Sequence, residues 1–345
     1  MRSGALLVAM LALGLSGVAH AAPAPYQPPR TAWGAPDLEG LWSNAWITTL
    51  QRPPRFKTLE IGDAEAAAYE ASHDGTPEPA RASDVGQAES EWWEMGGRMG
   101  RIDGRARTSW IVDPADGRLP YSPAGLAAFQ AQARAHMRNV DDPEARPAAE
   151  RCLMGLGGTS LPPMLNASYG NLLRIVQTKD HVVLVTEMHV GPRIIPLAPD
   201  AQEPGPAWSG RSQGRWDGET LVVETTGFHP SAQHRAPSGL YISSAAKVTE
   251  RFTRVGADEI RYGFTVEDPT VFAQTWRGEM PIIRSKGPMF EFACHEGNYS
   301  LPGILGGGRE QDRAAAAGQA TTAAPAREPP SAPGAAEAGA SARAP

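Results

Sequence analysis

The densest run of functional side chains in the chain is Cys294-His295-Glu296-Gly297-Asn298-Tyr299. An imidazole beside a carboxylate is the pairing that general acid–base chemistry uses. Neighbours on an extended strand point to opposite faces, so His295 and Glu296 share a site only if the backbone turns, which Gly297 permits. A second constellation follows the β-prone run from His181, which places Val183, Val185 and Glu187 on one face. His189 comes next, and Arg193 lies across Gly191-Pro192. A Glu, a His and an Arg near one strand end suit a polar cap on an apolar pocket, with proton transfer and anion holding as its chemistry. The same three residues equally suit a hydrogen-bond cluster at a hairpin turn. The third signal is Glu250, which shares the parity of Val248 and Phe252. A carboxylate aimed at a core either pairs with a cation or has a raised pKa. The candidates for catalysis are therefore His295, His189, Glu187 and Glu250. Arg193, Trp216, Tyr262, Trp276, Glu296 and Tyr299 are candidate ligand contacts.

Other chemistries lack their signatures. The seven histidines beyond residue 21, His73, His136, His181, His189, His229, His234 and His295, form no His-x-His or His-Glu-x-x-His pattern, and there is no Cys-x-x-Cys. No local metal site is expected. A GxSxG elbow, a Walker loop and a GxGxxG turn opening a helix are also missing, so neither a nucleotide nor any other cofactor is called for.

Turn residues divide the second half of the chain into short β-prone runs that must position these groups. They are 171–178, 181–187, 193–197, 219–226, 247–254, 259–266, 272–277 and 289–294, and Asp217-Gly218 marks a hairpin. Along 259–267, Ile260, Tyr262, Phe264 and Val266 alternate with polar residues, the pattern of a strand with one buried face. Short strands joined without long helices predict a mainly β fold, an antiparallel meander curled into a calycin-like barrel. Upstream, a Pro- and Trp-rich stretch to about residue 55 reads as an extended arm over the core. One helix is expected over 63–73 with Asp63 as its cap, and a second begins with Ser122 capping and Pro123 in the first turn. The stretch from Gly96 to Arg107 reads as loop.

Residues 1–21, with Met1-Arg2, an apolar run and Ala19-His20-Ala21, have the layout of a secretory leader, too short for a membrane span. The expected organisation is then an N-terminal arm with two short helices over 22–150, a β domain over 151–308, and a disordered tail over 309–345 that has no aromatic or large aliphatic residue. In an oxidising compartment the two cysteines, Cys152 and Cys294, are expected to pair. With 32 Lys plus Arg against 38 Asp plus Glu, the net charge of -6 offers no basic excess for nucleic acid or an anionic membrane. A small molecule or a protein is the expected partner.

Several spaced motifs occur in order: Trp33 to Trp42 (WGAPDLEGLW), Arg151-Cys152, Arg193 to Leu197 (RIIPL), Gly214 to Val223 (GRWDGETLVV), Glu250-Arg251-Phe252, Val266 to Pro269 (VEDP) and Ala293 to Tyr299 (ACHEGNY). Together they resemble a large family of exported bacterial proteins that end in the ACHEGNY signature. The resemblance spans roughly residues 30–308 and implies export and a matched pair of cysteines. The function expected from the sequence is an exported barrel that binds a small apolar or aromatic molecule, with a cofactor-independent lyase, isomerase or hydrolase as its catalytic form. The competing expectation is a non-catalytic envelope protein that binds a partner through its Trp-rich arm and tail.

Overall fold

The computed structural model describes residues 26–73, 96–138, 140, 142–155, 158–189, 191–198, 205–231, 234–235 and 239–316. The expected leader over 1–21, Trp92-Trp93, which the sequence also assigns to loop, and residues 317–345 of the expected tail lie outside them.

The strands of the main sheet are β1 (Gly40–Ser43), β5 (Ile111–Asp113), β6 (Leu172–Gln177), β7 (His181–Thr186), β8 (Arg193–Pro196), β9 (Arg211–Asp217), β10 (Thr220–Thr226), β13 (Lys247–Gly256), β14 (Glu259–Glu267) and β15 (Trp276–Arg284). A small sheet holds β2 (Glu60–Ile61), β3 (Arg101–Ile102) and β4 (Arg105–Arg107), and a short ribbon holds β11 (His234–Arg235) and β12 (Leu240–Tyr241). The helices are α1 (Asp63–Ser72), α2 (Pro123–Arg138) and α3 (Ser300–Ala316).

The main sheet is antiparallel throughout and runs β8-β7-β6-β1-β15-β14-β13-β10-β9, with β5 added on β15. It curls until its first and last strands meet, which makes the fold a nearly closed barrel. The seam between β8 and β9 is bridged by side chains: Gln213 Nε2 donates to the carbonyls of Pro196 and Ala198, and Arg193 Nε donates to Ser212 Oγ. Inward residues alternate along each strand as a half-buried pleat requires. Val248, Glu250, Phe252 and Arg254 of β13 face Ile260, Tyr262, Phe264 and Val266 of β14 inside one core, which also includes Trp42, Trp110 and Trp276.

The two ends of the barrel differ. Tight turns at 178–180, 218–219 and 257–258 close one, which we call the hairpin end. Gly218, at φ +58°, opens the turn between β9 and β10. The arm seals this end: Arg254 donates to the carbonyl of Asp37, and Leu38 N–H donates to Gln177. The longer connections β7–β8, β10–β13 and β14–β15 gather at the other, the loop end.

The structure corrects several expectations. The arm supplies a barrel strand, since β1 lies between β6 and β15 with Trp42 fully buried. Ladder partners on both sides outweigh the local preference of a proline-rich segment. Residues 289–294 are irregular and largely exposed, and the last strand is instead Trp276–Arg284. The stretch 96–107 contributes β3 and β4. Gly62, not Asp63, occupies the N-cap position of α1, where no side chain caps it. The Ser122 cap holds, its Oγ accepting from Gly125 N–H. Residues Arg309–Ala316, expected in the tail, complete helix α3.

Candidate functional site

At the loop end, five inward side chains from five strands form one buried polar network. Arg193 opens β8 opposite Leu184 of β7, and its side chain is only 8% exposed. Its Nη2 forms an ion pair with Glu250 Oε2 and donates to Thr225 Oγ1 at 2.7 Å, while Nε donates to Ser212 Oγ at 2.8 Å. Ser212 and Thr225, cross-strand partners on β9 and β10, share a further hydroxyl–hydroxyl bond of 2.9 Å. Glu250 is completely buried, and its Oε1 accepts from Tyr262 Oη at 2.8 Å. The phenol oxygen in turn accepts from the backbone N–H of Met164. Burial, reinforced by the Glu250 carboxylate, pushes the Tyr262 phenol well above its ordinary range, so it is a hydrogen-bond donor and not a base.

Met164 belongs to the loop 158–166, which packs into the loop end over this network, with Met164 and Leu165 joining the barrel core. Asn166 fixes the loop, donating to the carbonyls of Trp46 and Thr48 and accepting from Trp110 Nε1. The segment before it, bearing Cys152, is bonded to Cys294 as a disulfide, with Cα atoms 5.8 Å apart. Gly155 lies so close to the β7–β8 connection that a Cβ there would sit 2.1 Å from the Met188 carbonyl oxygen. The disulfide-bearing segment is thereby pressed against the connection that holds Glu187 and His189.

His189 is held from both sides. The N–H of Gly191 donates to Nδ1 at 2.8 Å, and Nε2 lies 3.1 Å from Ser209 Oγ. Because Nδ1 is the acceptor, the neutral ring carries its proton on Nε2 and gives it to Ser209. That tautomer cannot take the Ser209 proton, so the pair lacks the arrangement of a serine nucleophile and its base. Burial and the neighbouring Arg193 charge lower the His189 pKa below the usual imidazole value, which keeps the ring neutral near pH 7.

Four more buried polar atoms face this end: Asn44 Oδ1, Thr186 Oγ1, Trp276 Nε1 and the second guanidinium nitrogen of Arg193, Nη1. None has a hydrogen-bond partner among the described residues. Thr186 is the inward residue of β7 next after Leu184, which places it diagonally beside Arg193. Trp276 pairs with Val266 at the same end, and Asn44 follows β1, its amide against Met280. Native proteins leave few such atoms unsatisfied, and each calls for a bound partner or a water.

The candidates named from sequence thus fall into three groups. Glu250, Arg193, Tyr262 and Trp276 share the loop-end interior, with His189 and the buried Glu187 on the connection beside it. The parity argument for Glu187 does not hold, since Val182, Leu184 and Thr186 are the inward set of β7 and Glu187 lies past the strand in a turn. Trp216 packs at the opposite, hairpin end. His295, Glu296 and Tyr299 are exposed, Tyr299 to 83%, on the segment beyond β15. The neighbouring Asn298 does structural work there: its Nδ2 donates to the Glu150 carbonyl at 2.7 Å, and its Oδ1 accepts from Leu301 N–H in the first turn of α3. Sequence reasoning missed Asn44, Thr186, Ser212 and Thr225. The available signal was the one that exposed Glu250, a polar residue on an inward parity.

No helix among the described residues is long and apolar enough to cross a membrane, and no group of three or more His, Cys, Asp or Glu among them is placed to hold a metal ion. No family model, curated protein or solved structure matches this chain.

Proposed function

We propose that this chain is an exported protein that binds a small, largely apolar or aromatic molecule inside the loop end of its barrel. One observation carries the reading: donors on Arg193, Thr186 and Trp276 are buried at that end without partners among the described residues, amid the rings of Tyr262, Phe264 and Trp276. A few convergent polar groups in an apolar surround are the ordinary make-up of a ligand site. Binding fits these residues better than acid–base turnover. Glu250 is committed to Arg193 and Tyr262, and the His189 tautomer points its proton at Ser209. The leader and the disulfide support export, since bridges of this kind persist in oxidising compartments.

The test is native mass spectrometry of full-length protein purified from the periplasm without reductant. The expected result is a stoichiometric small molecule that is lost from an Arg193→Met, Glu250→Leu double variant, which removes the buried charges together. Protein that carries no such molecule, and whose melting temperature is unmoved across a library of aromatic compounds, would overturn the reading.

A further inference from the structure

We infer that the molecule bound at the loop end is uncharged and presents a carbonyl-type oxygen to Arg193, an inference that rests on the proposed binding function. The argument begins with charge. The guanidinium of Arg193 and the carboxylate of Glu250 are both buried and paired, so the network is neutral before any ligand arrives. Its remaining members, Ser212, Thr225 and Tyr262, carry no charge, and His189 beside it stays neutral. The one further ionisable group on the adjacent connection is the buried Glu187, which adds no positive charge. A carboxylate entering here would place an uncompensated anion in a water-poor interior, and that is strongly disfavoured.

The atoms at this end without partners among the described residues are mostly donors. Arg193 Nη1, Trp276 Nε1 and the Thr186 hydroxyl can all give a hydrogen bond, with Asn44 Oδ1 as the acceptor among them. A ketone, aldehyde or amide oxygen accepts such bonds without bringing a charge. The walls specify the rest of the molecule. Ring centroids of Phe252 and Tyr262 lie 5.0 Å apart, Tyr262 and Phe264 5.6 Å, and Phe264 and Trp276 5.7 Å, the rings tilted or edge-on to one another, so the groups around the polar atoms are aromatic and carry no charge.

The discriminating probes are acetophenone, benzamide and benzoate, which share one ring and nearly one shape. Their binding to full-length oxidised protein is followed by ligand-observed NMR at pH 7.5. Acetophenone or benzamide is expected to bind at least about tenfold more tightly than benzoate, the ratio that a difference of one unmatched buried group produces. Thr186→Val is the companion variant. It removes an unpartnered hydroxyl at constant shape, so it is expected to hold or raise the melting temperature of the free protein while weakening the neutral probe about fivefold. Benzoate binding as tightly as its neutral analogues would overturn the inference and leave the binding function standing. Thr186→Val leaving the affinity of the neutral probe unchanged would remove Thr186 from the site and overturn the assigned geometry. Failure of all three probes to bind would overturn both readings and assign the orphan atoms to buried water only.

Discussion

Glu250 and Arg193 show how one residue choice propagates. A carboxylate on an inward parity of β13 requires a cation within the barrel, and β8 supplies it across the seam, 57 residues away in the chain. Removing one partner strands the other: Glu250→Leu alone is expected to cost about 3–5 kcal/mol by leaving the guanidinium buried and unpaired. The double variant Arg193→Met, Glu250→Leu should recover most of that loss, a non-additivity that urea unfolding of the four proteins measures directly. His189 gives a second prediction at this scale. Its folded-state pKa is depressed by burial and Arg193, so between that value and the unfolded value of about 6.5 the unfolded chain binds more protons. Stability is therefore complete above about pH 6.5 and falls as the pH drops through the folded-state pKa. His189→Asn should flatten the slope of stability against pH in that window. The parity of Glu250 was legible in the sequence. Its partner was not, because nothing local in Arg193-Ile194-Ile195 states that β8 closes on β9.

At the scale of elements, most strands of the barrel were readable from alternation, and the exceptions have physical causes. Phe290, Phe292 and Cys294 alternate as a strand would, yet the sheet position beside β15 is already taken by β1, whose residues Trp42 and Ser43 pair with Arg284 and Ile283. The run from 289 is left without a ladder, and Phe290 stands 70% exposed. Helix α3 was hidden by Pro302, Gly303 and the triplet Gly306-Gly307-Gly308, which all lower helix propensity. Gly308 has a packing reason, since a Cβ there would come within 2.7 Å of the Val140 side chain. With weak intrinsic propensity, the helix depends on its start. Asn298 both accepts from Leu301 N–H and donates to the Glu150 carbonyl, so Asn298→Ala is expected to destabilise the attachment of α3 by about 1 kcal/mol. Hydrogen exchange should show the loss in 300–316 and no change in β13 or β14. Equal loss in the barrel strands would mean that α3 and the barrel unfold as one unit.

For the whole molecule the decisive feature is how the two ends of the barrel are shut. The arm seals the hairpin end through bonds between its backbone and the side chains of Arg254 and Gln177, and the loop end is covered by the segments before β6, which the disulfide ties to the chain beyond β15. The bridged cysteines are 142 residues apart, so the covalent ring encloses every strand from β6 to β15. A ring of that size restricts the unfolded chain as a whole, with a chain-entropy value of about 5 kcal/mol where the model holds. That contribution is global, whereas the hold of the bridge on α3 and on the segment around Cys152 is local. Replacing both cysteines with alanine should separate the two effects. Urea unfolding is expected to show a lower midpoint, with the protein losing about 2–5 kcal/mol. Under native conditions, hydrogen exchange should rise in 285–316 and around 146–155, because those segments lose their covalent anchor, while the most protected amides of β13 and β14 fall only by the global amount. A variant with an unchanged midpoint would show that the folded state carries strain equal to the entropy the bridge removes. If instead the barrel amides exchanged as fast as those of 285–316, the disulfide would be what holds the barrel closed, and the side-chain seam between β8 and β9 would be insufficient on its own.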